Sequence, residues 1–459
     1  MSRSPALRAL ALIVLASALR ADPPPARWPQ FRGPDAAGVA DGQDLPLEWD
    51  AASGKNIVWK RRVPGLGHAS PVVWDDQVFI ATALSGKEDP ELRVGLYGDI
   101  ASVDDPTEHA WLLVSIERRS GDELWRREVE RGVPAIRRHT KATHANSTPA
   151  TDGERVVLFL GSEGLFCYDM KGELAWRKDL GRLDAGFYRV PSAQWGFGSS
   201  PVIHEGKVYV QCDVQEGSFV AAFDARSGDE LWRTPRDDVP SWSTPLVLRD
   251  GERRRLVVNG YRHMGAYELA TGKEAWRLGG GGDIPVPAPI FAARLIFFTS
   301  AHGPASPIIA VRPGGSGDLS LGAAETRSDA VAWSIGRGGN YMQTPIVYGD
   351  RLYACRDNGV LSCFVAATGE LVYRERLGKG TSGFTASPVA ADGKLYFASE
   401  DGDIHVVAAG AEHRVLATNA MGEVCMATPA LAGGLLIVRG RDHVFAIGTA
   451  AKAPPPGER

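Results

Sequence analysis

The side chains of this sequence that could do chemistry recur just ahead of a repeated small residue–proline pair. Aromatic rings, amides and cations mix there, as they do in concave sites that bind polar ligands. The candidates ahead of the pairs are His68, His144, Asn146, Trp195, Phe197, Trp242, Asn340, Tyr341, Gln343, Phe384 and Met421. Arg189, Arg262, His263 and Arg337 lie in connecting segments that could reach the same place. The alternative interpretation is that these side chains only fill the centre of the fold and satisfy loop backbones.

No complete catalytic or metal-binding motif accompanies these candidates. The sequence contains no Gly-x-Ser-x-Gly, HExxH or Walker motif. His139 and His144 are five residues apart and could meet a metal, but no carboxylate partner is evident nearby, so a solvated loop is the simpler interpretation. Asp237 and Asp238 fall in an expected loop and do not suggest the paired carboxylates of a glycosidase. The sequence therefore assigns no catalytic residue and predicts no metal site.

The cysteines indicate buried thiols rather than a disulfide framework. The five are scattered, none are adjacent and none form CxxC, which also argues against a zinc site: Cys167, Cys212, Cys355, Cys363 and Cys425. Cys355 and Cys363 flank an Asp-Asn-Gly turn and could lie on neighbouring strands, so a disulfide between them stays open.

A single repeat has to position the candidate residues. Each repeat opens on a small residue and proline, continues with an apolar strand, and turns into a second strand. The leading pairs are 41 to 78 residues apart, and the shorter spacings match a four-stranded propeller blade of about 40–50 residues. The eight pairs are Ser70-Pro71, Thr148-Pro149, Ser200-Pro201, Thr244-Pro245, Ala288-Pro289, Thr344-Pro345, Ser387-Pro388 and Thr428-Pro429.

Most repeats end on an aromatic residue, often within Ser/Thr-Gly-acid-x-x-Trp. Ser120–Trp125 and Ser227–Trp232 have the same six residues. The glycine suits a tight turn that needs positive φ. Each blade must bury its face against the next, so the aromatic residue is predicted to pack between blades. These aromatic residues are Trp59, Trp125, Trp176, Trp232, Trp276, Trp333 and Tyr373.

The last repeat lacks its final strand, and an unassigned strand lies near the N-terminus at Asn56–Lys60. We therefore predict an all-β, eight-bladed propeller with four-stranded antiparallel blades, closed by an N-terminal strand that completes the last blade. Two insertions, Leu84–Ala110 and His302–Ala330, exceed a hairpin loop and could carry binding function or be disordered. The Gly- and Ser-rich composition of the second favours disorder.

The N-terminus has the pattern of a cleaved signal peptide. Arg3 and Arg8 precede an apolar run, Ala9–Leu19, that is too short to span a bilayer and ends near a small-x-small site. We predict a signal peptide at 1–21, an N-terminal linker and opening segment at 22–48, the propeller at 49–448 and a disordered tail at 449–459. This predicts a periplasmic or secreted protein with no transmembrane segment.

Charge and composition limit the partners. The net charge is only −4 and there is no long basic run, so neither nucleic acid nor an anionic membrane surface is expected as a partner. We expect a monomer whose partner is an envelope protein or a small polar ligand.

The motifs resemble those of a known family. The Gly-acid-x-x-Trp endings resemble the tryptophan-docking motifs of quinoprotein propellers. Trp28–Pro34 (WPQFRGP) resembles the opening of exported repeat proteins of the pyrroloquinoline-quinone (PQQ) type from planctomycete-type bacteria, and His139–Asp152 resembles a segment that opens an early blade there. The resemblance covers nearly all of Trp28–Gly448 and implies the propeller fold.

The resemblance implies less about activity, because one fold hosts many functions. PQQ-type repeats occur in quinone-dependent dehydrogenases, which hold PQQ in the axial funnel with a carboxylate base, Ca²⁺, a stacking tryptophan and often a disulfide between adjacent cysteines. They also occur in a propeller lipoprotein that assists outer-membrane β-barrel assembly and binds no cofactor. This chain has no adjacent cysteines, and no base or Ca²⁺ ligand can be placed in it.

Three hypotheses follow. The first is an exported, non-catalytic binding or interaction scaffold without a cofactor. The second is a PQQ- and Ca²⁺-dependent alcohol or sugar dehydrogenase. The third is an outer-membrane protein assembly factor, against which the missing lipoprotein cysteine argues.

Overall fold

The computed structural model describes residues 26–96, 99–303 and 305–449. The predicted signal peptide and nearly all of the predicted tail lie outside the described residues. The described residues form eight separate sheets, each built on four antiparallel strands. The predicted eight-bladed all-β propeller is therefore confirmed.

The blades are numbered 1 to 8 in chain order, and the strands of each blade run from the axis outward. Blade 1 contains Val72–Trp74, Gln77–Ser85, His109–Glu117 and Glu123–Gly132. Blade 2 contains Ala150–Thr151, Arg155–Phe159, Leu165–Asp169 and Leu174–Lys178. Blade 3 contains Val202–His204, Lys207–Cys212, Phe219–Asp224 and Glu230–Pro235. Blade 4 contains Leu246–Asp250, Arg253–Val258, Met264–Glu268 and Glu274–Leu278.

The second half of the ring repeats this arrangement. Blade 5 contains Ile290–Ala292, Leu295–Thr299, Ile308–Val311 and Val331–Ile335. Blade 6 contains Ile346–Tyr348, Arg351–Cys355, Val360–Val365 and Leu371–Arg376. Blade 7 contains Val389–Ala391, Lys394–Ala398, Asp403–Ala408 and Val415–Ala420. Blade 8 contains Ala430–Ala432, Leu435–Arg439, His443–Ile447 and the N-terminal strand Ile57–Arg62.

Two short strands extend these sheets, and two single-turn 3₁₀ helices lie between strands. Arg27–Trp28 pairs with the innermost strand of blade 1, and Gly317–Asp318 pairs in parallel with the outermost strand of blade 4. The helices are Pro34–Ala36 and Gly161–Glu163. No helix among the described residues is long and apolar enough to cross a membrane.

The N-terminal strand closes the ring as predicted. Ile57–Arg62 runs antiparallel to His443–Ile447, with Trp59 opposite Ala446. Residues close to the two ends of the propeller therefore share one sheet, and blade 8 gains its fourth strand from the start of the chain.

The inner strands are apolar along their whole length because each blade lies between two others. His109–Glu117 is buried at all but its last residue, whereas Glu123–Gly132, on the rim, alternates between more and less exposed side chains. Strands buried on both faces need continuous apolar runs, and strands with one solvated face need alternation. Val157 and Phe159 of blade 2 thus pack with Val208 and Val210 of blade 3.

The repeat-ending tryptophans lie between neighbouring blades. The Trp176 indole of blade 2 donates from Nε1 to the Ala225 carbonyl of blade 3 at 2.9 Å, and its ring covers Gly228. A Cβ at Gly228 would come within 2.7 Å of that ring, and its φ is +75°, so the position requires glycine. The same arrangement joins Trp59 to Gly121, Trp125 to Gly172, Trp232 to Gly272 and Trp333 to Gly369.

Trp276 and Tyr373 depart from this arrangement. Blade 5 has no Gly-acid-x-x-Trp sequence, and the buried Trp276 Nε1 has no hydrogen-bond partner among the described residues. Residues of the second insertion cover this edge instead: Gly317 pairs with Trp276, and Leu319 joins its apolar cluster. The structure thus differs from the expected disorder there. The Tyr373 ring meets the His413 ring edge-on at 5.6 Å.

The five cysteines are buried free thiols. Cys355 and Cys363 do lie on neighbouring strands of blade 6, but Cys355 is opposite Leu361 and Cys363 is opposite Tyr353. Burial raises the pKa of the Cys363 thiol to about 11. The disulfide left open by the sequence is therefore not formed.

Candidate functional site

A cavity of about 830 Å³ lies at the axis of the ring. Most of its wall comes from the loops that precede the innermost strands and from the loops between second and third strands, which share one face of a propeller. The first insertion reaches the same face, where Leu96 and Ile100 line the cavity.

Six of the twelve residues predicted for a ligand funnel lie on the described wall of this cavity: His68, Asn146, Trp195, Trp242, Tyr341 and Phe384. Arg189 is exposed and pairs with Asp283 at 3.6 Å. The structure does not bring the other five to the wall.

Those five have local partners instead. The His144 ring packs edge-on against His109 at 4.9 Å. Asn340 and Gln343 are buried and bond loop carbonyls, at Gln343 and Arg356 respectively. Arg262 pairs with Asp237 at the surface, and His263 is buried beside Arg236. Three additional candidates also lie off the wall: Phe197 packs on Phe159, Met421 accepts from Trp49, and Arg337 is exposed. The contacts of these residues are described better by the alternative interpretation of the sequence, in which the side chains support the loops rather than line a ligand funnel.

A ladder of aromatic rings forms part of the wall. Phe187 and Trp195 are stacked at 5.8 Å with an interplanar angle of 4°, and Trp242 follows Trp195 at 5.7 Å. The Trp195 indole donates to the Ile100 carbonyl and the Trp242 indole to the Gly196 carbonyl. Because the edges of both indoles are hydrogen-bonded, their orientation is fixed in the wall, as a site for a flat ligand requires.

The small residues of the leading pairs form a belt of hydrogen bonds around the axis. In the belt, the backbone amide of one blade donates to the side-chain hydroxyl of the next, for example Ser70 to Thr148 at 3.0 Å and Thr344 to Ser387 at 3.0 Å. Ala288 has no hydroxyl and can only donate, to Thr344. The further links are Thr148 to Ser200, Ser200 to Thr244 and Ser387 to Thr428. This explains why serine or threonine recurs before the proline.

A buried ion pair joins opposite parts of the wall. Lys141 Nζ of the loop before blade 2 lies 2.7 Å from Glu400 Oε1 of blade 7, whose side chain is 1% exposed. The Glu400 carboxylate also accepts from the Gly95 amide at 2.6 Å and from the Thr385 hydroxyl at 2.5 Å. Through Gly95, the pair attaches the first insertion to the loop that contains Lys141 and to the blade 7 loop that contains Glu400. His68 lies beside it, and burial lowers the pKa of its imidazole to about 4, so the ring is neutral at neutral pH.

Asp283 and His302 form a second polar pair, which the sequence analysis missed. The His302 Nδ1 lies 2.6 Å from the Asp283 carboxylate, whose side chain is 3% exposed. The Nδ1–H group of the ring donates to this carboxylate, which holds the ring in place and leaves Nε2 for other hydrogen bonds. The His302 ring lies on the cavity wall, stacks on Tyr341 at 6.0 Å and meets Phe187 edge-on. Its φ of +83° is unusual for histidine.

The signal for this pair in the sequence is weak. Asp283 and His302 are 19 residues apart, on either side of the first two strands of blade 5, and neither lies in a motif. Burial raises the pKa of the neighbouring Tyr341 to about 12, so its hydroxyl stays protonated. The described wall therefore combines flat apolar faces with the His302 ring and a few other polar groups.

The repeat pattern is matched by a family model for the outer membrane protein assembly factor BamB, over residues 109–243 and 167–418. These matches cover more than half of the chain. The chain belongs to this family of PQQ-like repeat propellers. No curated protein matches it significantly.

Several solved structures have the same fold as this PQQ-like propeller. BamB from Moraxella catarrhalis is 15% identical, with a TM-score of 0.51 over 82% of this chain and 99% of that chain. A quinohemoprotein alcohol dehydrogenase from Comamonas testosteroni is 13% identical, with a TM-score of 0.61 over 94% and 82%. A europium-containing methanol dehydrogenase is 11% identical, with a TM-score of 0.59 over 92% and 89%. Identities this low establish the fold alone.

The carboxylates described on the cavity wall do not form a cluster of the kind that binds Ca²⁺. Among residues 26–96, 99–303 and 305–449, no three His, Cys, Asp or Glu side chains group around one point. Ca²⁺ takes six to eight oxygens. The most buried carboxylate of the wall, Glu400, already accepts three hydrogen bonds and neutralises Lys141. The carboxylates described on the wall therefore form no calcium site by themselves.

Proposed function

We propose that this PQQ-like propeller is an exported, non-catalytic binding protein of the cell envelope, and that its axial cavity holds a small flat ligand with polar substituents. The observation that carries the proposal is the aromatic ladder Phe187–Trp195–Trp242 on the wall of an 830 Å³ cavity. Small-molecule sites commonly span about 300–1,000 Å³ and combine apolar walls with a few placed polar groups.

The polar groups of the wall favour a ligand without a strong charge. Lys141 and Glu400 neutralise each other, Asp99 is paired with Arg93, and Arg356 and Asp357 add one charge of each sign. The His302 ring, held by Asp283, offers its Nε2 as a hydrogen-bonding atom to a ligand. A flat ring system that carries hydroxyl, amide or imide groups matches this surface.

Two flat tricyclic probes test the proposal: riboflavin, which is nearly neutral, and PQQ, which is anionic. The mature chain is titrated with each, with and without Ca²⁺, by thermal shift and by probe fluorescence. A ligand at 100 times its Kd adds about 2.7 kcal/mol of stability. We expect Ca²⁺-independent binding of riboflavin, weakened at least tenfold by Trp195→Leu and unchanged by the rim control Leu231→Ala.

The opposite outcomes are equally informative. If neither riboflavin nor PQQ binds, the ligand-binding proposal is overturned. PQQ binding that requires Ca²⁺ overturns the non-catalytic proposal in favour of the quinone-dependent dehydrogenase, which would then be assayed with alcohols, sugars and an artificial electron acceptor.

A second candidate function, outer-membrane protein assembly, is favoured by the family match and by the BamB structure, 99% of which aligns with this chain. Deletion of the gene should then lower the amount of β-barrel proteins in the outer membrane. Complementation with the Trp195→Leu variant should restore those proteins as well as complementation with the wild type does. Unchanged amounts of those proteins would contradict this function.

Export itself has a direct test. N-terminal sequencing of the protein from the envelope or medium should find a mature end close to Ala18 or Ala21, at the predicted cleavage sites. An intact Met1 would contradict the signal peptide.

A further inference from the structure

The N-terminal segment formed by residues 26–50 crosses the face of the ring opposite the cavity loops. It contacts the turns that follow the innermost strands, whereas the cavity loops precede those strands. Trp28 pairs with Val73 of blade 1, and the Pro29 carbonyl accepts from the Thr151 amide of blade 2 at 2.8 Å. On the far side, the Gly38 carbonyl accepts from the Ala390 amide of blade 7 at 2.8 Å. The segment therefore spans the axis.

Arg32 holds the centre of this segment at the axis. Its side chain is fully buried, and the partners that the structure describes for it are backbone carbonyls rather than carboxylates. Burial lowers the pKa of its guanidinium to about 9. The five carbonyls belong to Ala36, Ala37, Thr344, Pro345 and Pro388.

These contacts connect the segment to the belt. Thr344, Pro345 and Pro388 belong to the leading pairs of blades 6 and 7, next to the belt hydroxyls. Arg32 therefore reaches from the opposite face to the level of the cavity floor.

Trp28 and Gly33 determine how the segment turns on either side of Phe31. Trp28 is fully buried and its ring lies on Gly33, where φ is +71° and a Cβ would come within 2.4 Å of the ring. Gly33 therefore cannot carry a side chain. With Trp28 and Arg32 both anchored, the intervening Phe31 side chain is directed into the axial cavity and lines it.

Phe31 differs in origin from the other lining residues that the structure describes. Those residues come from the loops of the cavity face or from the leading pairs. Phe31 alone among them comes from the opposite face, and its ring shares the cavity with belt residues such as Ser70 and Thr428.

We propose that Phe31 is the floor of the ligand site and that the WPQFRGP segment is an intramolecular plug that closes the funnel at one end. The ligand then enters and leaves only by the loop face, and the Phe31 ring sets the depth to which a flat ligand can be inserted. This inference rests on the proposed function, because it assigns Phe31 a role in selecting ligands by length.

The test uses the full mature chain and riboflavin, with Phe31→Trp, Phe31→Ala and Phe31→Leu. The bulkier tryptophan raises the floor, so riboflavin should bind at least tenfold more weakly. The alanine variant removes an apolar contact, so binding should weaken about fivefold, and the leucine variant should stay within about twofold of the wild type. Trp195→Leu is the wall control, and circular dichroism and Tm establish that each variant is folded.

Failure of this inference can be told apart from failure of the proposed function. If the wild type binds riboflavin and Trp195→Leu weakens it, but Phe31→Trp and Phe31→Ala bind like the wild type, the floor role is overturned while the ligand site stands. If the wild type binds neither riboflavin nor PQQ, the proposed function fails and the ligand contact of Phe31 fails with it.

A measurement without a ligand addresses the plug directly. A xenon-pressurised crystal of Phe31→Ala should show xenon on the axis next to the Arg32 position, at a point where the wild-type crystal has none, because an apolar void left by a ring binds xenon. Equal xenon occupancy in both crystals, or none in the variant, overturns the assignment of Phe31 to the floor.

Discussion

The rim and the axis of this propeller both use tryptophan, but they use its surfaces differently. On the rim, Trp176 donates to a carbonyl of the next blade and its ring face is covered by Gly228, an arrangement that recurs with four other tryptophans. At the axis, Trp195 and Trp242 also donate to carbonyls, but their rings line an 830 Å³ cavity. The difference indicates that the rim tryptophans stabilise contacts between blades, whereas the axial tryptophans line the cavity of the proposed ligand site.

The largest expected effect separates the two sets of tryptophans. Trp176→Leu removes an inter-blade ring and its hydrogen bond, so the free energy of unfolding should fall by about 3 kcal/mol. The Kd for riboflavin should not change, since Trp176 lies far from the wall in the rim strand of blade 2. Trp195→Leu should show the reverse pattern, with weak binding and a loss of about 1 kcal/mol or less. Denaturant titration and fluorescence titration measure the two quantities, and equal effects on both by either variant would abolish the distinction.

The next effect isolates the contact between tryptophan and glycine. Gly228→Ala places a Cβ against the Trp176 ring at a residue with φ of +75°, and should cost about 3 kcal/mol from steric overlap and strain together. Gly206→Ala is the matched control, because Gly206 has φ of +71° and nothing within 4 Å of the added Cβ. The control should cost only about 1 kcal/mol of left-handed strain. If urea titration shows the same loss for both, the ring contact contributes no stability.

The smallest effect concerns pH, to which the two regions should respond differently. The repeated rim contacts pair an indole with a carbonyl and a glycine, none of which titrates. At the axis, burial lowers the pKa of His68 to about 4 from 6.5. The unfolded chain therefore binds the proton more readily, so the stability contributed by neutral His68 is complete above about pH 6.5 and is lost as the pH falls towards 4.

The lowered pKa of His68 also gives the expected size of this pH effect. Between pH 7 and pH 4.5 the loss due to His68 should be about 2 kcal/mol. His68→Gln should flatten the pH profile by that amount, whereas the exposed-rim substitution Leu231→Ala should leave the profile unchanged. A profile that keeps its full slope in His68→Gln would show that other groups cause the acid sensitivity.

The fold was largely predictable because its determinants are local and repeated. A blade contacts mainly its two neighbours, so the same turn glycine and the same aromatic residue recur with each repeat. The missing last strand and the unassigned Asn56–Lys60 segment together predicted the ring closure that Ile57–Arg62 makes. The surroundings of blade 5 were harder to predict. Because blade 5 lacks the glycine turn, Trp276 is covered instead by Gly317 and Leu319, which belong to an insertion whose composition favoured disorder.

The candidate site was predictable only in part. The position ahead of the leading pairs identified Trp195, Trp242 and Tyr341 as wall residues because every such loop approaches the axis. The same rule placed His144 and Asn340 there, yet a loop has an inner and an outer side, and loop sequences lack the period that tells strand faces apart. The rule also passed over His302, which follows the second strand of blade 5.

The sequence by itself determined the number of blades, the ring closure and the positions where a side chain or a glycine must recur, since each depends on contacts that repeat at a regular spacing. The tertiary structure alone decided which residues meet across the axis. Lys141 and Glu400 are 259 residues apart, and Arg32 bonds carbonyls more than 300 residues further along the chain. Such contacts occur once, between loops of unrelated sequence, and they form because ring closure brings those loops to one point.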